Sequence, residues 1–173
     1  MPKIIENLES RLLDEAKKQL FDSGYGALTI RSVAKDCGVG VGTVYNYFAS
    51  KDDMIAMIML RDMDLTLAVI QETVNHSDSV RTMLQCTYDQ LVKFAREHSG
   101  MFRDKVEAAA FLGSFHVYQE DLRKQIAQIL RNHCESDFSA EFVAEAMLTW
   151  TMAKKSFDEI YGMIEKLFDV PHP

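Results

Sequence analysis

The chain has 173 residues, with 26 acidic and 19 basic side chains and a formal net charge of −7. This length fits one domain or one domain with a small appendage, and 47% hydrophobic residues are enough for a core. No apolar run approaches the ~20 residues that a bilayer crossing needs, so we expect no membrane contact and a cytoplasmic protein.

The cysteines and histidines show no metal-binding spacing. Cys37, Cys86 and Cys134 contain no C-x-x-C pair, which favours a reducing compartment over a disulfide scaffold or a closed zinc site. We interpret them as small buried residues, and a redox role for Cys134 beside His133 is the alternative. Serine, histidine and carboxylate residues are dispersed, so we expect no catalytic site, no metal and no cofactor.

Helical periodicity covers almost the whole chain. Prolines stand only at positions 2, 171 and 173, and apolar residues recur with a period of about 3.6, which predicts an all-α fold. We expect about nine helices, at about 4–22, 30–37, 41–48, 51–73, 80–97, 101–112, 118–134, 139–154 and 157–168.

Three helix starts carry capping residues. Thr29 is a predicted N-cap of the second helix, and Ser50 and Ser156 are predicted N-caps of the fourth and the last. Asp53 and Glu159 follow the two serines at the third position, which is the spacing of a capping box.

The second and third helices are short, and Gly38 stands between them. This order is the geometry of a helix-turn-helix, in which the second helix enters a major groove about 12 Å wide. Ala34 allows the helices to cross closely, Gly38 can adopt the left-handed turn, and Val39 and Val44 can fill the core. The residues that we then expect to face outward are Gly40, Gly42, Thr43, Asn46 and Tyr47.

Charge is distributed unevenly along the chain. Residues 1–51 hold seven basic and six acidic side chains, whereas residues 52–173 hold 12 basic and 20 acidic ones. An acidic body cannot bind a phosphate backbone, so any contact with nucleic acid belongs to the amino-terminal part.

The string from Leu28 to Asp53, LTIRSVAKDCGVGVGTVYNYFASKDD, resembles the DNA-binding domain of the tetracycline-repressor (TetR) family. The resemblance covers about the first 55 residues, and the rest of the chain is similar only in length and helical character. It implies a helix-turn-helix DNA-binding domain at 1–51 and a helical ligand-binding and dimerisation domain at 52–173.

The resemblance also implies roles for single residues. Thr29, Tyr47 and Lys51 correspond to phosphate-positioning residues, and the base readers correspond to Gly42, Thr43, Tyr45 and Asn46. Chemistry favours the same roles, since Asn46 can pair with an adenine edge and Val41 can touch a thymine methyl group. Many members carry Lys or Arg near Val41. This chain has no basic residue there, so the helix is uncharged and we expect affinity for DNA to depend on Arg31, Lys51 and dimerisation. At Gly40 and Gly42 we expect the DNA to approach the backbone closely.

In that family the carboxy-terminal domain binds a small ligand that releases the DNA, and the last two helices form the dimer. Methionine and aromatic side chains after residue 53 can line an apolar pocket. The predicted pocket residues are Met63, Tyr88, Phe111, Phe115 and Trp150. For each of them a place in the core is the alternative.

The sequence therefore predicts a homodimeric transcriptional regulator, a repressor that an unidentified small molecule releases from double-stranded operator DNA with an inverted repeat. One alternative is a helical small-molecule-binding protein or enzyme with a vestigial helix-turn-helix. Another is an activator or a regulator that responds to no ligand.

Overall fold

In a computed structural model of the chain, residues 7–98 and 105–168 are described, without the side chains of 105–117 and 166–168. This part contains eight α-helices, one short 3₁₀ turn at Arg131–His133 and no strand. The helices are α1 (Leu8–Ser23), α2 (Ile30–Asp36), α3 (Val41–Tyr45), α4 (Lys51–His76), α5 (Val80–His98), α6 (Lys105–Leu130), α7 (Asp137–Met152) and α8 (Phe157–Phe168).

The all-α prediction is confirmed, and the described residues form eight helices where about nine were predicted. Where two helices were expected, at about 101–112 and 118–134, the described backbone forms the single helix α6. Gly113 lies inside it. One glycine costs a helix only about 1 kcal/mol relative to alanine, and no proline is present to break it. The predicted start of the first helix at residue 4 falls outside the described residues.

The chain divides into two compact units. Unit 1 consists of Met1–Asp62 and His98–Gly113, and unit 2 of Met63–Glu97 and Ser114–Pro173. Unit 1 thus contains the predicted helix-turn-helix together with the first part of α4. The proposed functional boundary at residue 51 concerns DNA contact and stays a prediction.

The core of unit 1 joins its three amino-terminal helices. Helix α2 packs against both α1 and α3. Each contributes one apolar face, as the periodicity predicts, and Ala34 is only 1% exposed at the crossing. The buried side chains include Leu12, Leu13, Ala16, Leu20, Leu28, Ile30, Val33, Ala34, Val44 and Phe48.

Unit 2 is a helical bundle with its own core. Helices α7 and α8 pack together, and Arg81 of α5 pairs with Asp158 at 2.7 Å while lying over the rings of Phe157 and Tyr161. The buried side chains include Met83, Leu84, Leu91, Leu122, Ile126, Leu130, Val143, Ala144, Met147, Ile160 and Ile164. None of the helices, as far as the structure describes them, is long and apolar enough to cross a membrane.

The predicted caps are confirmed. The Ser32 backbone N–H donates to Thr29 Oγ1, and the Asp53 N–H donates to Ser50 Oγ, each at 3.0 Å. At α8 the Ser156 N–H and hydroxyl both donate to Glu159 at 2.9 Å. These bonds, together with the Lys155 ammonium, lower the pKa of Glu159 to about 2.

Candidate nucleic-acid interface

The turn between α2 and α3 is built on a left-handed glycine. Gly38 has a φ of 69°, and the Val39 N–H after it donates to the carbonyl of Ala34 at 2.9 Å. A residue with a side chain is strained at this φ, which explains the glycine. The predicted turn is thereby confirmed. Val39 is half-buried beneath it, and Val44 is fully buried as expected.

Helix α3 and the turn after it are buried on one side and exposed on the other. Val44 and Phe48 are 0% and 1% exposed, while Val41, Tyr45 and Tyr47 are 37%, 54% and 44% exposed. Gly40, Gly42 and Asn46 are also exposed, and Thr43 is half-buried. Large apolar side chains clustered at the surface are typical of a surface that contacts a partner.

The exposed side of α3 carries no formal charge. Between Asp36 and Lys51 the sequence contains no charged residue at all. Any recognition by this helix therefore depends on hydrogen bonds and van der Waals contacts, while attraction to phosphate must come from neighbouring elements.

Two predicted contact residues lie at the start of α2. Thr29 and Arg31 are exposed, and the Thr29 side chain forms a capping box with Ser32. The Ser32 hydroxyl lies 2.6 Å from Oε1 of Gln19 on α1, so the start of α2 is tied to α1 as well.

Lys51, the predicted phosphate contact at the start of α4, has a partner that the sequence analysis missed. Its Nζ donates to the carbonyl of Tyr25 at 3.1 Å and lies 3.7 Å from the centre of the Tyr25 ring. The Tyr25 hydroxyl donates to Asp52. A lone aromatic residue in a loop has no periodic pattern, so nothing in the sequence predicts this contact.

A second missed feature joins α1 to α4 inside unit 1. Asp62 is 6% exposed, and its Oδ2 lies 2.7 Å from Nζ of Lys17 and 3.1 Å from Nε2 of the buried His98. Burial raises the pKa of Asp62, but hydrogen bonds from His98 and Lys17 outweigh it and lower that pKa below its usual value. Arg61 pairs with Asp14 at 2.8 Å beside this cluster.

The predicted ligand-pocket residues lie in different environments. Met63 is 3% exposed and Trp150 50% exposed. Tyr88 is half-buried and donates its hydroxyl to the Lys155 carbonyl at 3.0 Å. Phe111 and Phe115 belong to the part of α6 whose side chains the structure does not describe. A pocket at these five positions stays a prediction.

Unit 2 also contains clefts that the sequence did not suggest. One of about 340 Å³ is lined by residues of α5, α7 and α8 and by the turn after α6, which includes Cys134. Burial raises the pKa of the Cys134 thiol, which disfavours the reactive thiolate and so the redox alternative. Two others, of about 520 and 510 Å³, are lined by residues of α6 and α7.

Two short helices joined by a left-handed glycine turn, the second with an exposed face, define a helix-turn-helix protein. Comparison with known proteins shows a match to one family in this part of the chain. Residues 12–58 match the sequence model of the family described as "Bacterial regulatory proteins, tetR family".

Individual relatives agree with this match. The HTH-type transcriptional regulator UidR of Escherichia coli (strain K12) is 27% identical over 139 residues, which are 80% of this chain and 63% of UidR. A TetR-family transcriptional regulator of Streptomyces coelicolor superposes with a TM-score of 0.61 at 18% identity, covering 92% of this chain and 94% of that one. The multidrug binding protein EbrR, solved with imidazole, superposes with a TM-score of 0.65 at 16% identity, covering 97% and 98%.

The amino-terminal part of the chain, residues 12–58, is thus similar to the tetR family of bacterial regulatory proteins. The chain spans from half to less than two thirds of the length of the first curated relatives that it matches. Those relatives are named as regulators of transcription, not as enzymes.

Proposed function

We propose that this protein is a homodimeric repressor that binds double-stranded operator DNA through α3 and releases it when a small molecule binds. The observation that carries the proposal is the exposed surface of α3 and of the turn after it, where Val41, Tyr45 and Tyr47 are all more than a third exposed around an anchored Val44. A helix held in this way can enter the major groove, and the sequence match to the tetR family supports this use.

Within the proposal the contact residues have separate tasks. Asn46 reads an adenine edge, and Thr43 and Tyr45 contact neighbouring bases where the backbone approaches at Gly40 and Gly42. Thr29, Arg31, Tyr47 and Lys51 hold phosphates and fix the register of the helix. The DNA-binding domain is residues 1–51 and the ligand-binding and dimerisation domain is residues 52–173.

The first test selects binding sites from a random duplex pool with wild-type protein and the Asn46→Ala variant. We expect wild type to enrich an inverted repeat, because two copies of α3 contact two half-sites about one helical turn apart, or a multiple of that. Asn46→Ala should lose about 1–3 kcal/mol of discrimination at one base pair in each half-site and keep its preference elsewhere.

The control is Asn132→Ala, which removes an exposed asparagine from the turn after α6. It should select the same repeat as wild type. If folded wild-type protein enriches no sequence at low salt, the proposed function is wrong. If Asn46→Ala selects the wild-type repeat unchanged, the proposal that Asn46 contacts a base is wrong.

We propose a small-molecule ligand for the carboxy-terminal domain, with a pocket among Met63, Tyr88, Phe111, Phe115 and Trp150. The similarity in fold to EbrR, a multidrug binding protein, supports this. The 20 acidic and 12 basic residues after position 51 favour a neutral or cationic ligand. A true effector must bind free protein about 5- to 150-fold more tightly than DNA-bound protein. Equal affinity for both forms, measured by calorimetry with and without the selected duplex, excludes a candidate.

A further inference from the structure

We propose that Tyr25, in the loop between α1 and α2, is a positioning residue for DNA phosphate. It holds the Lys51 ammonium in place and keeps the Asp52 carboxylate engaged. The inference rests on the proposed function and adds to it a residue that does not itself belong to the predicted contact set.

The contact with Lys51 uses both the backbone and the ring of Tyr25. The Lys51 Nζ donates to the Tyr25 carbonyl at 3.1 Å and lies 3.7 Å from the centre of its ring, within cation–π range. An ammonium has three N–H donors, so at least one remains for a phosphate beside the carbonyl and the ring. A lysine side chain loses much rotamer freedom when it is fixed, and Tyr25 fixes it before DNA arrives.

At the start of α4, two carboxylates lie next to Lys51, where the phosphate is proposed to bind. Lys51 is followed directly by Asp52 and Asp53, so the segment has a net charge of −1 where a phosphate is proposed to bind. A carboxylate free to turn toward the phosphate weakens binding by like-charge repulsion.

Both carboxylates have donors in the structure. Asp53 accepts the backbone N–H of Ala49 at 3.0 Å, and Asp52 accepts the hydroxyl of Tyr25. Tyr25 therefore favours phosphate binding in two ways. Its carbonyl and ring hold the Lys51 ammonium in place, and its hydroxyl holds the Asp52 carboxylate.

A purely structural role is the competing explanation, since the same contacts fasten the loop to α4. The two explanations differ in what happens when Lys51 is absent. Without Lys51, a positioning residue has only Asp52 left to hold and its effect on DNA binding becomes smaller, whereas a residue that only fastens the loop remains equally important. A double-mutant cycle measures this difference.

The cycle combines Tyr25→Leu with Lys51→Ala and measures the Kd for a fluorescein-labelled 30-base-pair duplex of random sequence by fluorescence anisotropy at several salt concentrations. Phosphate contacts are independent of sequence, so no operator is needed. Tyr25→Leu should weaken binding about two- to fivefold in the wild-type background and clearly less in Lys51→Ala, where only the release of Asp52 remains. Lys51→Ala should reduce the slope of log Kd against log salt by about 1.

The second part isolates the hydroxyl. Tyr25→Phe keeps the ring and the carbonyl but frees Asp52, and we expect about two- to fivefold weaker binding. Adding Asp52→Asn should restore wild-type affinity in Tyr25→Phe, and should improve binding less in the wild-type background. Rescue of this kind is not expected if Tyr25 only supports the fold. Melting temperatures of all variants identify any that unfold.

The outcomes separate the two proposals. If wild-type protein binds no duplex at low salt, the proposed function fails and this inference fails with it. If wild type binds but Lys51→Ala binds equally well, or Tyr25→Leu costs the same in both backgrounds, the inference alone is overturned.

Discussion

Gly38 and Gly42, two glycines in the helix-turn-helix, differ in whether the fold requires a glycine at that position. Gly38 has a φ of 69°, so its conformation explains its identity within the free protein. Gly42 lies inside α3 and has no positive φ, and a Cβ built on it meets no atom within 4 Å. Nothing described in the free protein requires glycine at position 42. A glycine there costs about 1 kcal/mol relative to alanine, which is the reason for our prediction that DNA approaches its backbone closely.

This contrast gives a paired prediction. Gly42→Ala should raise the free energy of unfolding by about 0.5–1 kcal/mol and weaken binding to the selected duplex, because the added methyl group occupies space that the DNA needs. Gly38→Ala should lower the free energy of unfolding by about 1–2 kcal/mol, because alanine is strained at a positive φ. Urea unfolding and anisotropy titrations measure both quantities. A Gly42→Ala variant that binds DNA as well as wild type would remove the case for close approach.

At the scale of elements, the sequence predicts local features correctly and tertiary ones poorly. Thr29, Ser50 and Ser156 cap their helices because each cap is a contact between residues three apart, which a sequence displays directly. The full length of α6 was not predicted, because Gly113 suggests a turn, although one glycine in an apolar periodic segment does not end a helix.

The candidate site could be predicted only where its residues are close together in the sequence. The turn at Gly38 and the buried Val44 follow from spacing within a short string. The pairing of Lys17 with Asp62, and that of Tyr25 with Lys51, join residues 26 or more positions apart. No spacing rule connects such residues, since their approach depends on how α1 packs against α4.

The ion cluster between α1 and α4 leads to a prediction for stability. Asp62→Asn should lower the free energy of unfolding by about 1–3 kcal/mol, because Lys17 and the buried His98 lose a charged acceptor. A fully buried pair costs about 3–5 kcal/mol when one partner is removed, but Lys17 is 25% exposed and can reach water. Asp64→Asn, at an exposed position two residues on, should change stability little.

The stability difference between wild type and Asp62→Asn should depend on pH. The pKa of Asp62 lies below its ordinary value of 3.8 in the folded protein. Its contribution to stability is therefore complete above pH 3.8 and is lost as pH falls through the lower folded pKa. The difference between wild type and Asp62→Asn should be smaller at pH 3 than at pH 5 in urea unfolding. An unchanged difference would mean that the Asp62 charge does not stabilise the fold.

At the scale of the whole molecule, the last two helices leave apolar side chains uncovered. Helix α7 exposes Phe138 and Phe142 at 75% and 43%, and α8 exposes Met163 at 63%. An apolar surface of this kind is typical of a protein interface. It supports the proposed dimer through α7 and α8, in which a two-fold axis places each of these side chains at the interface twice.

The dimer proposal is tested with two matched double variants. Phe142→Lys with Met163→Lys places four new positive charges at the proposed interface of a symmetric dimer, and the dimer dissociation constant should rise at least ~100-fold. Leu65→Lys with Val69→Lys changes two side chains of α4 with similar exposure, 62% and 44%, and should leave the dimer intact. Sedimentation equilibrium measures both constants. Binding to the inverted repeat should fall with dimerisation, because a monomer contacts only one half-site. If the α7–α8 variant stays dimeric while the α4 variant dissociates, the interface lies on α4 instead.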